Sequence, residues 1–330
     1  MSTSTAPTAA PGTGPAPGTG PAVGEEPEAP APSGGSLSPS RAADFMQCPL
    51  LYRFRTIDRL PEAPSEAAVR GTLVHAVLER LFDLPADQRT REQARSMVDP
   101  QWRALLEREP RVGALFEDGT DAAALARWLT SAEKLLERWF ELEDPTRLEP
   151  AGREVRVQVP LGDGLLLRGI VDRLDVAPTG ELRVVDYKTG RAPSEARESK
   201  ALFQMRFYAL VLWRLHGVVP RQLQLVYLGS GDVLRLAPDE ADLLATERKV
   251  RALWEAIERN RATGDWQPRP GRLCSWCDHK ALCPSFGGTP PPLPPRPLPR
   301  AEPSAAAQPP AGSTGSAEPT GSGAPTESTG

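Results

Sequence analysis

Residues 165–188 constrain the fold more than any other part of the chain. Two runs of leucine and β-branched residues, 165–176 and 181–187, flank Ala177-Pro178-Thr179-Gly180, which reads as a turn between strands. With Pro178-Thr179-Gly180 as a three-residue loop and Gly180 left-handed, Ala177 faces Glu181 and facing residue numbers sum to 358. Val176 then meets Leu182, Leu174 meets Val184, and Asp175 meets Arg183 as an opposite-charge pair. The same register sets Asp172 against Asp186, on the face shared with the apolar residues, while the other charged residues sort to the opposite face. Like charges in facing positions destabilise a hairpin unless something offsets them, and a divalent cation is the usual offset. Lys188, two residues past Asp186, projects from the same face. Two acids and a lysine thus converge at one end of a half-buried surface, provided no bulge changes the parity.

Carboxylate oxygens suit Mg²⁺ or Mn²⁺, which keep several waters when bound. Such an ion lowers the pKa of a bound water and neutralises phosphate charge. Lys188 is placed to orient that water or to stabilise a transition state. The set therefore fits phosphodiester hydrolysis, although a short Asp…Asp-x-Lys pattern alone is commonly only a surface hairpin with scattered acids.

Helices precede the hairpin. Ser38 and Pro39 read as the N-cap and first residue of a helix running towards Cys48. Residues 66–84 carry Val69, Leu73, Val77, Leu78 and Leu81 at helical spacing, with His75 among them. Residues 91–108 and 120–142 are two further predicted helices, an insertion before the sheet. A strand over 153–159 alternates Val155, Val157 and Val159. Glu154 begins it, a candidate further acid for the site at a position where acids are usually solvated. Past the hairpin, Ser194 is the expected cap of a helix over 195–216. Residues 221–229 and 232–236 form a second hairpin around Ser230-Gly231, and Pro238 opens a last helix reaching about Thr263. The order predicts an α/β fold, a mixed central sheet flanked by helices.

Residues 1–35 and 288–330 are mostly Ala, Pro, Gly, Ser and Thr, too poor in large apolar residues to offset the entropy of ordering. Both are expected as disordered tails, leaving a folded unit at 36–287. The net charge of −4 is a weak guide to partners. The tails account for it, and the remainder is close to neutral, so any nucleic-acid contact must come from local Arg and Lys placement. There is no apolar run long enough for a transmembrane helix, no signal-peptide pattern and no G-x4-G-K-[ST] loop. The expectation is a cytoplasmic protein without membrane contact or a P-loop ATPase of its own.

All four cysteines fall in one pattern, Cys274-x2-Cys277-x5-Cys283 with Cys48 far upstream. Without an export signal they read as metal ligands before disulfides. Four thiolates suit Zn²⁺ or an iron–sulfur cluster, and spacing does not choose between them. Such a set requires the first helix to pack against the last loop, stapling the two ends of the domain.

Together these segments resemble the RecB-like branch of the PD-(D/E)XK nucleases, as in the nuclease domains of RecB and AddB and the CRISPR-associated exonucleases of similar build. The likeness covers about residues 36–287. It rests on Leu37-Ser-Pro-Ser-Arg41, Gln47-Cys48-Pro49, Gly71-Thr-Leu-Val-His75, Gly169-Ile-Val-Asp-Arg173, Val184-Val-Asp-Tyr-Lys-Thr-Gly190, Gln204-x3-Tyr208 and the cysteine triplet. No single motif is specific, but the set in this order is. The resemblance implies a restriction-endonuclease-like core with a helical insertion and a C-terminal cysteine cluster. It implies metal ligation by His75, Asp172, Asp186 and the Tyr187 carbonyl, and Lys188 as the catalytic lysine. Gln204 and Tyr208 would shape the site from one helix face. Cys48, Cys274, Cys277 and Cys283 would hold a [4Fe–4S] cluster, with Zn²⁺ as the alternative. The implied activity is a Mg²⁺- or Mn²⁺-dependent exodeoxyribonuclease, directed at single-stranded DNA or free ends in repair or recombination. Trp276, near the cysteines, is placed to stack on bases or to cover the metal. The alternatives are a non-catalytic DNA-binding scaffold that keeps the cluster, or the nuclease subunit of a complex with a separate helicase or of CRISPR adaptation.

Overall fold

Strands β3 (Leu165–Val176) and β4 (Leu182–Lys188) form the expected hairpin in the computed structural model, which describes residues 35–116, 122–162, 164–193 and 199–295. Arg173, Leu174, Asp175 and Val176 face Val185, Val184, Arg183 and Leu182. Gly180 is left-handed at φ 92°. The Ala177 N–H donates to the Glu181 carbonyl at 2.9 Å, closing the three-residue loop.

Six strands make the mixed sheet. β2 (Gly152–Pro160) runs antiparallel along one edge of β3. The other edge is shared end to end: β1 (Gly35–Leu37) pairs parallel with residues 165–167, and β4 pairs with 173–176. β5 (Gln222–Tyr227) lies parallel to β4, and β6 (Asp232–Leu236) antiparallel to β5. β1 was not foreseen. It is three residues long, and Gly35, assigned by composition to the tail, begins it.

Both faces of the sheet are covered. On one, Leu167, Val171, Leu174, Val184, Leu223 and Leu225 join a core with α1 (Pro39–Gln47), α2 (Pro49–Tyr52), α7 (Ser199–His216) and α8 (Glu240–Thr263). On the other, Val185, Tyr187, Val226 and Leu228 pack under α3 (Glu66–Leu81), α4 (Arg91–Ser96), α5 (Val98–Arg108) and α6 (Ala122–Leu142). The charged face of the hairpin is therefore not solvated, as the register alone suggested, but buried by the helical insertion. Arg173 is 1% exposed there.

Strict alternation fails at one point of β3. Val171 and Leu174 are three residues apart yet join the same core, while Arg173 turns to Glu143 of α6 on the opposite face. β2 changes face at the matching point: Val155 packs with that core, and Arg153 reaches the Glu79 carbonyl of α3 at 2.6 Å. Register is kept on both sides, with Arg153 against Arg173 and Val155 against Val171. The two strands thus kink together, at Glu154 and Asp172, and Glu154 is left-handed at φ 47°. The parity condition on the hairpin reading is accordingly not met along the whole of β3.

Three boundaries differ from expectation. The helix over 91–108 breaks at Met97, because Pro100 cannot donate to the Ser96 carbonyl and fits only in the first turn of a new helix. The last helix is capped by Asp239, whose side chain accepts the Asp242 N–H at 2.8 Å, rather than opened at Pro238. The chain is described as far as Pro295: the Gly288 N–H reaches the Cys283 carbonyl at 3.0 Å, and Arg53 donates to the Pro291 carbonyl. The expected cap Ser194, residue 120 and the tails at 1–34 and 296–330 lie outside the described residues. No helix among the described residues is long and apolar enough to cross a membrane.

Candidate active site

The kink gathers ligands. Asp172 on β3 and Glu154 on β2 face each other by register, and His75 descends on them from α3. One ligand atom from each lies within 4.8 Å of the other two. His75 Nδ1 is 3.5 Å from Glu154 Oε1 and 3.6 Å from Asp172 Oδ2. Its Nε2 stands 3.0 Å from the Tyr187 carbonyl. Asp172 Oδ2 accepts the Tyr187 N–H at 2.7 Å, which ties β3 to β4 where the ladder has ended. His75, Glu154, Asp172 and Tyr187 border a cavity of about 10 Å³, roughly the room of one water.

Asp186 and Lys188 stay paired with β5 opposite Leu225 and Tyr227, which fixes their direction. The Asp186 carboxylate is 1% exposed. Its Oδ1 accepts from Gln204 Nε2 at 2.8 Å. Lys188 Nζ lies 2.6 Å from Oδ2, but off the hydrogen-bonding direction, so that buried oxygen has no hydrogen-bond partner. Lys188 instead donates to Gln204 Oε1 at 2.9 Å. One amide therefore holds both catalytic candidates, and its Nε2 also reaches the Tyr208 hydroxyl at 3.1 Å, as the i, i+4 spacing on α7 allows. Tyr208 lies flat on the strand at Gly169, where a Cβ would fall 2.6 Å from its ring.

The charges are strongly coupled. Burial first, then the charge of Asp186, pushes the Asp172 carboxyl up to about 7 against the pull of His75, the Tyr187 N–H and Lys188. Burial alone would lower His75. The hydrogen bond that His75 donates to Glu154 and the charges of Asp172, Asp186 and Glu154 outweigh it and raise the imidazole to about 9. Crowded carboxylates, of which Asp172 holds its proton, one orphaned buried carboxylate oxygen and an imidazole at ligand spacing suit a hard divalent cation.

Below the site lies a second buried network. Arg173 clasps Glu143 through two hydrogen bonds of 2.8 Å. Glu143 also accepts from the Tyr187 hydroxyl at 3.0 Å, Trp139 at 2.8 Å and Gln224 at 3.2 Å. Burial opposes the Glu143 charge, but these donors hold its carboxyl below the usual range. The network fixes the Tyr187 side chain under the sheet and leaves its peptide to His75 and Asp172.

Of the sequence candidates, His75, Asp172 and the Tyr187 peptide meet at one point, with Asp186, Lys188, Gln204 and Tyr208 joined beside it. Asp186 stands outside the three-ligand group, held by Gln204 and Lys188. Glu154, only a candidate further acid in the sequence, is a member of the group. Its facing Asp172 across β2 and β3 was the one available signal.

The four cysteines line a single cavity of about 240 Å³ with Leu50, Phe54 and Phe286. Cys48 Sγ accepts the Arg269 N–H and Cys274 Sγ the Gly271 N–H, both at 3.3 Å. Burial raises the Cys277 thiol, with Cys274, Cys48 and Cys283 adding to it. Among the described residues, only His75, Glu154 and Asp172 reach mutual metal-ligand spacing; the sulfurs share a cavity without doing so.

The family model described as the PD-(D/E)XK nuclease superfamily matches residues 36–284. The Gene 69 protein of Mycobacterium phage D29 is 26% identical, over 76% of this chain and 96% of that protein. The Gene 69 protein of Mycobacterium phage L5 is 24% identical over the same shares. The crystal structure of a proposed exonuclease from Eubacterium rectale has a TM-score of 0.51 at 16% identity, covering 74% of this chain and 87% of that one, which is a likeness of fold.

Proposed function

The chain belongs to the PD-(D/E)XK nuclease superfamily, and from that premise we propose that it is a divalent-metal-dependent exodeoxyribonuclease of the RecB-like branch. Its substrate is single-stranded DNA or a free end, met in repair or recombination in the cytoplasm. The observation that carries this reading is the meeting of His75, Glu154 and Asp172 at ligand spacing, beside a lysine that Gln204 holds against Asp186.

His75, Glu154, Asp172 and the Tyr187 carbonyl would hold Mg²⁺ or Mn²⁺, with Asp186 offering its unpartnered oxygen. A cation there supplies a Lewis acid and a water of lowered pKa. Water attacks phosphorus, the bond to one ester oxygen breaks, and that oxygen leaves with a proton. Lys188 is the cation nearest this centre. Gln204 directs it at the developing phosphoryl charge, where a fixed donor does most for the transition state. Tyr208 keeps the Gln204 amide in the orientation that serves Lys188 with its oxygen and Asp186 with its nitrogen. Cys48, Cys274, Cys277 and Cys283 hold a [4Fe–4S] cluster in this proposal, or Zn²⁺. The shared cavity and the N–H···S bonds support such a thiolate site.

The test is anaerobic purification with an absorption spectrum and iron and zinc contents, then Mn²⁺-dependent cleavage of end-labelled single-stranded DNA by wild type and Asp186→Ala. Asp186-dependent shortening from one end is the expected result. Internal cutting would replace exonuclease by endonuclease, and cleavage by Asp186→Ala at the wild-type rate would overturn the site.

A further inference from the structure

The insertion covers only part of its side of the sheet. Before the kink, Leu165, Leu167 and Val171 of β3 face the α7–α8 core, so Arg168 and Ile170 face the other way. Their partners across the ladder are Gln158 and Arg156 of β2. Arg156, Arg168 and Ile170 are all exposed, Ile170 at 45%. This bare strip continues along the strands into Glu154 and Asp172. Arg168 stands four residues from Asp172, roughly 13 Å along an extended strand.

More positive charge gathers at the far end. Arg41 bonds to the Ser36 carbonyl at 3.2 Å and to Ser36 Oγ at 3.0 Å, and Ser36 pairs with Leu166 beside Arg168. Arg261 lies over the Trp254 ring, which packs on Gly35. Burial and the charges of Arg168, Arg59 and Arg261 together lower the Arg41 pKa, so each of these three guanidinium groups lies within electrostatic reach of Arg41. Arg261 has Glu258 at 3.4 Å. Among the described residues, no carboxylate forms an ion pair with Arg41, Arg59, Arg156 or Arg168. Uncompensated arginines in a chain without excess positive charge mark a site for an anion, and the guanidinium fork matches phosphate.

We propose that the strip Arg156–Ile170–Arg168, extended by Arg41 and Arg59, seats the sugar–phosphate backbone of the nucleic-acid strand that enters the metal site. The arginines take successive phosphates, and Ile170 lies between them against the sugars. This rests on the nuclease reading of the site, and it fixes the side from which the strand arrives.

Binding is tested without cleavage: the full chain in EDTA, a fluorescein-labelled single-stranded oligonucleotide, and anisotropy over a salt series. Each lost phosphate contact removes about 0.7 from the slope of log K against log salt, so Arg156→Gln/Arg168→Gln should lower it by about 1.4 and weaken binding at least tenfold at about 0.1 M salt. Arg103→Gln, on the far surface of α5 and paired with Asp99, should change neither. Melting curves of both variants confirm the fold. An unchanged affinity and slope in the double variant, an equal loss in Arg103→Gln, or no binding by wild type overturns the proposal. Hydrolysis of bis(p-nitrophenyl) phosphate by wild type with Mn²⁺ tests the nuclease reading separately: without hydrolysis but with the slope change, the strand seat stands and the nuclease reading falls.

Discussion

At the candidate metal site every side chain hangs from a strand or a long helix whose position the sheet and the Arg173–Glu143 network fix. Of the cysteines, Cys274 instead lies in a short 3₁₀ turn after the last helix and Cys277 and Cys283 flank such turns, in a segment tied to the body by Arg53, Arg269, the buried His279 and a few backbone bonds. That segment leaves Trp276 77% and Leu273 55% exposed. One site is preorganised by the protein, so its groups stay close even where their charges repel. The other is a cavity framed by short turns that rest on Leu282 and the buried His279, where a metal on the sulfurs would add order.

The comparison breaks first at catalysis. Asp186→Asn and Lys188→Met should each reduce cleavage of end-labelled DNA by roughly 10³-fold, as removal of a fixed charge at a transition state does, with melting temperature nearly unchanged. A large loss of stability would show that these groups hold the fold. Next comes the scaffold: Glu143→Gln leaves the buried Arg173 with Asp175, 3.1 Å away, as its one remaining carboxylate and should cost up to about 3 kcal/mol, read from urea unfolding. A cost below about 1 kcal/mol would mean the site does not depend on that network. Cys283→Ser should lose bound metal and make residues 264–295 protease-sensitive, while the sheet keeps its cooperative transition. Loss of the whole fold would erase the distinction between the two sites.

The smallest effect is a pH dependence. Asp172 and His75 both hold protons more tightly in the fold than free. Their contribution to stability is therefore full at low pH, falls as pH rises from about 4 to about 7 for Asp172, and is lost through about 9 for His75. Metal-free protein should melt at lower temperature as pH rises across that window, and Mn²⁺, which competes with those protons, should bind more tightly. A metal-free melting temperature that rises with pH would contradict the coupling.

The hairpin was legible because Gly180 permits one loop, and that loop fixes the pairs from Val176–Leu182 to Arg173–Val185, though not the expected Asp172–Asp186 pair beyond them. The concerted kink was not, since a left-handed glutamate has no sequence signature; Glu154 therefore stayed a candidate only. Arg173 looked like a surface charge because its partner, Glu143, comes from α6 and is brought there only by tertiary packing. The cysteine spacing showed that the chain ends meet, yet not how closely the sulfurs approach.

Gly169 makes the chemistry depend on an atom that is absent. Tyr208 occupies the volume of a side chain that β3 does not have, and Gln204, Lys188 and Asp186 are aligned from there in series. A methyl group at that position would act as a wedge under the first member of a relay. A shift of about 1 Å at its end is enough to cost a hundredfold in rate. The tolerance of this enzyme is thus set as much by an empty space on a strand as by the acids that give its family a name.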